Sequence, residues 1–336
     1  MDSNRPVGGV DVSIIVVAWN VRDLVSDCLK SVYEKTKDVS FEVVYVDNGS
    51  EDGTVDMVEQ EFPGAKIIWN QTNLGFIRAN NQGIEVCQGR YVLLLNSDTV
   101  LLDDAVSETV RFADDHPEAA VVGCRVLNSD LSLQRNCFMY PSVLNVFLWG
   151  SFLSKLFPRS HFFGRELMTW WDFSEPREVE VVCGCFSLVR RKAIDQVGVM
   201  NEIYFMYGDD PDWCYRFSKA GWQIWFNPRG QIIHLSGANS KKKSGPIARR
   251  FRWQLSGSLL IFMRLYRSTL AFHTYRLLIV PAFLVRAAGL AVVGIFGGKS
   301  RDNRFDLART YLGTAWYALV NWKRLLMNRD AVEDRL

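Results

Sequence analysis

Four short apolar runs constrain this chain more than any other feature. Residues 12–19 (VSIIVVAW), 42–46 (EVVYV), 65–69 (AKIIW) and 91–95 (YVLLL) recur with room for one helix between each pair. The first is a continuous apolar run, the pattern of a parallel strand buried on both faces. The stretches between them place apolar residues at helical spacing: Leu24, Val25, Cys28, Leu29 and Val32, then Val55, Val58 and Phe62, then Ile84 and Cys87. Asn20 and Asp52 stand where helix caps belong, and Pro63-Gly64 and Gln88-Gly89 stand where helices stop. Four rounds of strand and helix predict an α/β fold: a mostly parallel, Rossmann-like sheet flanked by helices, with right-handed crossovers.

Beyond this frame the reading is looser. Residues 103–114 read as a helix, and short strands and loops mix from 121 onward. Residues 141–177 are irregular and rich in aromatic rings, which serve either as a second core layer or as an exposed patch. A strand-like run over 179–189 is interrupted by Gly184. Asp210 and Pro211 form a helix start, and Gly221 ends that helix. Residues 222–226 and 231–235 flank Asn227-Pro228-Arg229-Gly230, which predicts a hairpin. From 245 to 336 the pattern is helical, amphipathic and basic.

Three acidic stations carry the chemistry. Asp47 lies in Val46-Asp47-Asn48-Gly49-Ser50 and Asp98 in Leu95-Asn96-Ser97-Asp98, each just past a buried strand, where open α/β sheets bind ligands. The third is Asp209-Asp210-Pro211-Asp212. Together they suggest a nucleotide seat, a metal–diphosphate site and a general base. No GxGxxG follows the first strand and no GxxxxGK[ST] is present, which argues against dehydrogenase and P-loop folds. With 39 basic against 37 acidic residues the net charge is only +2, so no nucleic-acid partner is expected. Seven scattered cysteines read as reduced core residues, and the polar first nine residues hold no signal-peptide core.

In this order, Ser13-Ile14-Ile15-Val16-Val17-Ala18-Trp19-Asn20, the Asp47 motif, Asn73-Leu74-Gly75-Phe76, the Asp98 motif, Tyr207-Gly208-Asp209-Asp210-Pro211-Asp212 and Ile233-His234-Leu235-Ser236-Gly237-Ala238 resemble the family 2 glycosyltransferases. Those are inverting enzymes of GT-A fold, and the variant is most similar to the bacterial rhamnosyltransferase-like branch. The resemblance covers roughly residues 10–240, which it implies to be the catalytic domain. Residues 10–100 would form the nucleotide-binding half and 101–240 the acceptor and base half, with 245–336 as the helical extension.

The resemblance implies a division of labour. Ala18, Asn20, Asp47, Asn73, Gly75, Arg78, Asn96 and Ser97 would surround the nucleotide and donor sugar, with Arg78 either reaching a phosphate or lying in solvent. Asp98 and His234 would hold Mg²⁺ or Mn²⁺. Only one carboxylate stands in Asn96-Ser97-Asp98, where many relatives have two, so the diphosphate would supply further ligands. Asp210 would be the base, with Asp209 its rival. Gly184 and Asp212 would meet the acceptor. Arg190 and Arg191 would steady the diphosphate or merely end a strand, and Lys241-Lys242-Lys243 would form a lid or a solvated loop.

The expected activity is transfer of a sugar from a dTDP-, UDP- or GDP-linked donor to a hydroxyl of a glycan or polyprenyl-linked glycan. The rival reading is a decayed, non-catalytic nucleotide-binding scaffold. The apolar stretch 277–298, with Arg286 and Pro281 inside it, would lie at a membrane surface or pack in a homodimer. The enzyme is therefore expected on the cytoplasmic face of the cell membrane.

Overall fold

The computed structural model describes residues 9–205, 207–235, 246–295 and 301–320, the side chains of 246–252 and 301–302 excepted. Lys241-Lys242-Lys243 lie outside the described residues. In chain order the elements are β1 (Val12–Ala18), α1 (Arg22–Lys35), β2 (Phe41–Asp47), α2 (Thr54–Glu61), β3 (Lys66–Trp69), α3 (Phe76–Val86), β4 (Tyr91–Asn96), β5 (Thr99–Leu101), α4 (Ala105–Asp115), β6 (Ala119–Leu127) and β7 (Cys137–Phe138). They continue with α5 (Val143–Gly150), α6 (Leu153–Leu156), β8 (Arg177–Glu178), β9 (Val181–Val182), β10 (Phe186–Arg190), α7 (Arg191–Val197), α8 (Asp209–Lys219) and β11 (Gln223–His234). The helices α9 (Pro246–Tyr266), α10 (Thr269–Ile295) and α11 (Arg301–Val320) complete the described residues.

Two compact units result. The first takes Met1–Phe138, Asp172–Glu202 and Asp209–Ser236; the second takes Met139–Trp171, Ile203–Gly208 and Gly237–Leu336.

The first unit is built on a nine-stranded sheet ordered β3-β2-β1-β4-β10-β6-β11-β5, with β8 added on β11. β3, β2, β1 and β4 run parallel, as their apolar runs require. Ile14 and Val16 pack with Val25, Cys28 and Leu29 of α1. Ile15 meets α3, where a Cβ on Gly83 would come within 2.8 Å of its side chain. Both faces of β1 are thus covered, and Val12, Ile14, Ile15 and Val16 are fully buried, each worth roughly 1.5–3 kcal/mol.

Three local expectations are corrected. Asn20 does not cap α1: its φ is +53° and its Oδ1 accepts from the Glu51 N–H at 2.8 Å. Asp52 stands one residue before Gly53, the cap position of α2, and ties two helix starts together: its Oδ1 accepts from the Thr54 N–H at 3.2 Å and its Oδ2 from the Arg22 N–H at 2.9 Å. Residues 222–235 do not form a hairpin. β11 is one strand, parallel to β6 on both sides of a register shift between Asn227 and Gln231. Asn227-Pro228-Arg229-Gly230 is a bulge, where proline forfeits no ladder bond. Gly230 is required there, because a Cβ would sit 2.7 Å from the Ala105 backbone.

The second unit has its own core of Val146, Leu260, Met263, Phe272, Tyr275, Ile279, Phe283 and Ala315. The aromatic stretch before it divides between the two earlier readings. Trp171 and Phe173 are buried, while Phe157 and Phe162 are about half exposed. Arg286 does not face outward: its guanidinium lies 3.5 Å from the Trp149 ring centroid and 4.3 Å from that of Phe152, and donates to the carbonyls of Trp149 and Ala282. Among the described residues α10 alone has the length and composition to cross a membrane.

Candidate active site

Strand ends bring the stations together in the first unit. β4 ends at Asn96, whose N–H donates to the Cys185 carbonyl at 3.1 Å as β10 approaches it antiparallel. One residue earlier, the Gly184 N–H donates to Oδ1 of Asp210 at 2.9 Å. The Asp98 loop and the start of α8 are therefore linked through two adjacent residues of one approach strand. Gly184 interrupts β9 and β10 as its sequence position suggests, and its close approach is to Asp210 itself.

The Asp98 station is completed by β11. In the β5–β11 register His234 stands opposite Thr99, and the Leu235 N–H donates to the Asp98 carbonyl at 2.8 Å. His234 Nε2 lies 3.2 Å from Asp98 Oδ1 and 3.3 Å from Asn96 Nδ2. An imidazole nitrogen and a carboxylate oxygen aimed at the same point form a donor set suited to a divalent cation. Among the described residues no group of three or more His, Cys, Asp or Glu gathers for a metal. Asp98 and His234 are the two of these residue types that meet at this strand end.

The carboxylates of the third station differ in exposure. Asp209 is 4% exposed and Asp212 is fully buried, whereas Asp210 is partly exposed. Burial pushes the Asp209 carboxyl up to about 6, with the Asp212 charge adding to it. Burial, then the charge of Asp209, raises Asp210 well above the usual carboxylate range. Asp212 accepts from Arg216 Nε at 2.9 Å, a helix-start ion pair.

The Asp47 station is a set of interlocked loops. Asp47 is fully buried, and its carboxylate accepts from Tyr45 Oη (2.8 Å) and from the N–H groups of Gly49 (3.0 Å) and Ser50 (2.7 Å). It shapes the loop around itself. Asn48 ties that loop to the next one: its Nδ2 donates to Asn73 Oδ1 and the Gly75 carbonyl, and its Oδ1 accepts from Asn70 Nδ2 and the Leu74 N–H, all at 3.2 Å. Gly75 opens α3 at φ +86°, in the region that favours glycine. Ala18 is buried, with its carbonyl accepting from the Asn48 N–H at 2.9 Å. An open groove of about 410 Å³ is lined by Asn20, Val21, Arg22, Asp23, Leu24 and Asp52.

Three arginines have partners within the unit. Arg78 pairs with Glu202 at 3.5 Å. Arg190 donates to the carbonyls of Ala119 and His116, and Arg191 to those of Gly89, Ile84 and Cys87. Arg190 pairs with Tyr91, so it and Arg191 stand at the opposite end of β4 from Asn96. All seven cysteines are free, and burial pushes Cys28 and Cys214 up to about 12, as inert core thiols. Asn70, against Asn48, and Gln134, against His234 Nδ1 at 2.6 Å, join the Asp47 and Asp98 stations without a sequence signal, and Asn48 had one only as part of the Asp47 motif.

The chain matches the family described as Glycosyl transferase family 2 over residues 13–198, more than half its length. It is 29% identical over 203 residues to an N-acetylglucosaminyl-diphospho-decaprenol L-rhamnosyltransferase of Mycobacterium tuberculosis. That match covers 57% of this chain and 66% of the relative, just under two thirds of its length. A teichuronic acid biosynthesis glycosyltransferase of Bacillus subtilis is 32% identical over 30% of this chain and 41% of its own. In structure, the mannosyltransferase of Pyrobaculum calidifontis, solved with GDP-Man and Mn²⁺, aligns with TM-score 0.55 at 16% identity, covering 94% of this chain and 88% of its own. GalNAc-T7, solved with UDP, GalNAc and Mn²⁺, also gives 0.55, at 11% identity and 94% and 58% coverage. The shared fold is GT-A.

Proposed function

The chain belongs to glycosyl transferase family 2 and is a glycosyltransferase of GT-A fold; on that premise we propose that it inverts the anomeric centre while moving one sugar from a nucleotide-diphosphate donor to a hydroxyl of a lipid-linked glycan. The observation that carries the reading is the pair of bonds from Asn96 to Cys185 and from Gly184 to Asp210. They hold the Asp98 loop and the start of α8 at one strand end, which supports a cation station beside a base station.

The acceptor hydroxyl would lose its proton to the Asp210 carboxylate. Its oxygen would attack the anomeric carbon as the bond to the diphosphate oxygen breaks, and the diphosphate would leave with the electron pair. One displacement inverts the centre. Asp98 and His234 would hold Mg²⁺ or Mn²⁺, which when bound neutralises charge gathering on the leaving diphosphate. The loops that Asp47 and Asn48 brace, with Ala18, Asn20, Asn73, Gly75, Asn96 and Ser97, would receive the nucleotide. Asp209 would sit behind the base and keep its proton affinity high.

The mycobacterial relative's name supports a polyprenyl-diphosphate glycan as acceptor and a rhamnose-type sugar as cargo. A membrane-surface location on the cytoplasmic side suits such an acceptor. Leu270, Leu277 and Leu284, exposed at seven-residue spacing on α10, and Trp316 on α11 would meet the bilayer. A homodimer through the same face is the competing outcome. Thermal shift against dTDP, UDP and GDP with Mn²⁺, then turnover with the stabilising nucleotide's sugar, tests the activity. Nucleotide binding without transfer to any lipid-linked acceptor would overturn it. Flotation with anionic vesicles, compared with Leu277→Glu, separates membrane from dimer.

A further inference from the structure

Gln134 stands 100 residues from His234 in sequence and shares none of the motifs, yet its side chain makes two contacts to that residue. Its Oε1 lies 2.6 Å from His234 Nδ1, and its Nε2 donates to the His234 carbonyl at 3.2 Å and to Asn128 Oδ1 at 2.8 Å. The second contact assigns the first. A peptide carbonyl only accepts, so the amide nitrogen of Gln134 must face it. Asn128 agrees: its Nδ2 donates to Ser132 Oγ at 2.9 Å, which leaves its Oδ1 to receive Gln134. The amide oxygen of Gln134 therefore faces Nδ1, and Nδ1 must carry the proton.

The consequence lies on the far side of the ring. With hydrogen on Nδ1, Nε2 keeps its lone pair, and it points at Asp98 Oδ1, 3.2 Å away. Two electron-rich atoms at that distance suit a shared cation. Asn96 Nδ2, 3.3 Å from Nε2, is a donor oriented to the same lone pair. The Gln134 anchor is itself built into the backbone. Its N–H donates to the Val126 carbonyl at 2.9 Å, and the turn before it is closed by the Asn128 N–H to the Ser132 carbonyl at 2.8 Å.

We propose that Gln134 is a positioning residue: it locks His234 in the Nδ1–H tautomer and presents Nε2 to the cation that Asp98 shares. This rests on the reading of Asp98 and His234 as a metal station. An outer partner of this kind typically changes metal affinity ~10–100-fold when lost.

The test uses the full chain in weakly alkaline buffer. Nitrogen-15 imidazole spectra of the metal-free protein report the tautomer, and with four histidines in the chain His234→Ala assigns the signal. The wild type is expected as Nδ1–H, and Gln134→Leu as Nε2–H or a mixture. Titration with Mn²⁺ in the presence of nucleoside diphosphate, read by electron paramagnetic resonance, should show Gln134→Leu weakened ~10–100-fold. Gln134→Glu, which restores an acceptor at Nδ1, should keep the tautomer and bind Mn²⁺ at least ten times more tightly than the leucine variant. A wild-type Nε2–H tautomer, or Gln134→Leu with unchanged tautomer and Mn²⁺ affinity, overturns the proposal. The wild-type spectrum decides even if the leucine variant fails to fold. Absence of Mn²⁺ binding by the wild type would instead sink the metal station, and the tautomer would still report on Gln134.

Discussion

Gly184 and Asp210 share a hydrogen bond that one methyl group would break. The Gly184 N–H donates to Asp210 Oδ1 at 2.9 Å, and a Cβ on residue 184 would lie 2.8 Å from that same oxygen. The residue's φ is not in the left-handed region, so glycine is needed there for space and not for backbone freedom.

Gly184→Ala should therefore displace the base without unfolding the sheet. Loss of a positioned base costs ~10²–10⁴-fold in rate, and the alanine variant should reach at least the low end of that range in kcat. Mn²⁺ and nucleotide affinities, measured calorimetrically, should stay near wild type. Unchanged kcat would separate Gly184 from the base.

Asp210→Asn should lose ~10²–10⁴-fold in kcat with donor KM little changed. Asp209→Asn should behave differently. Removing the neighbouring charge lowers the proton affinity of Asp210, so the acid limb of the kcat profile should move to lower pH. If instead Asp209→Asn abolishes turnover and Asp210→Asn is active, the two carboxylates exchange roles.

The same pair sets a pH dependence of stability. Asp209 is pushed up to about 6 in the fold from an ordinary 3.8, and Asp210 is raised as well. The folded state then binds more protons than the unfolded state between those values. Stability should fall as pH rises from the ordinary carboxylate value through 6. Urea midpoints on either side of 6, compared with Asp209→Asn, measure this; the variant should show a smaller decline.

Asn48→Ala should weaken nucleotide binding and the fold together. Asn48 is 3% exposed and bridges the Asp47 and Gly75 loops, so its removal strands the Asn70 and Leu74 donors at about 1–3 kcal/mol for an unsatisfied buried group. A lowered Tm with a raised nucleotide Kd is the expected result. A fall in Tm alone would mean that the loops are structural only.

Much of this molecule is legible in its sequence because local rules govern those parts. The runs 12–19, 42–46, 65–69 and 91–95 became β1 to β4 because a strand covered on both faces must be apolar throughout. Asp98, His234, Asp209 and Asp210 stood out as short motifs at element ends. Other features had no local signal. β10 enters antiparallel between β4 and β6, although 179–189 reads like any buried strand, because direction depends on how the chain returns and not on side-chain character. The proline and glycine of 227–230 signal a turn equally well for a hairpin and for a bulge, and only pairing of both halves with β6 decides for the bulge.

Charged groups divide the same way. From residue type alone Arg78, Arg190, Arg191 and Asp212 were fit for a ligand, yet Glu202, backbone carbonyls and Arg216 hold them. A side chain's chemistry is written in the sequence, but its partner is chosen by whatever the fold brings within about 3 Å. The sequence alone determined the frame, the three acidic stations and the family. Only tertiary structure decided that Gly184 holds Asp210, that Asp47 braces its own loop and that Gln134 faces His234, because each joins residues that no helical or strand period connects.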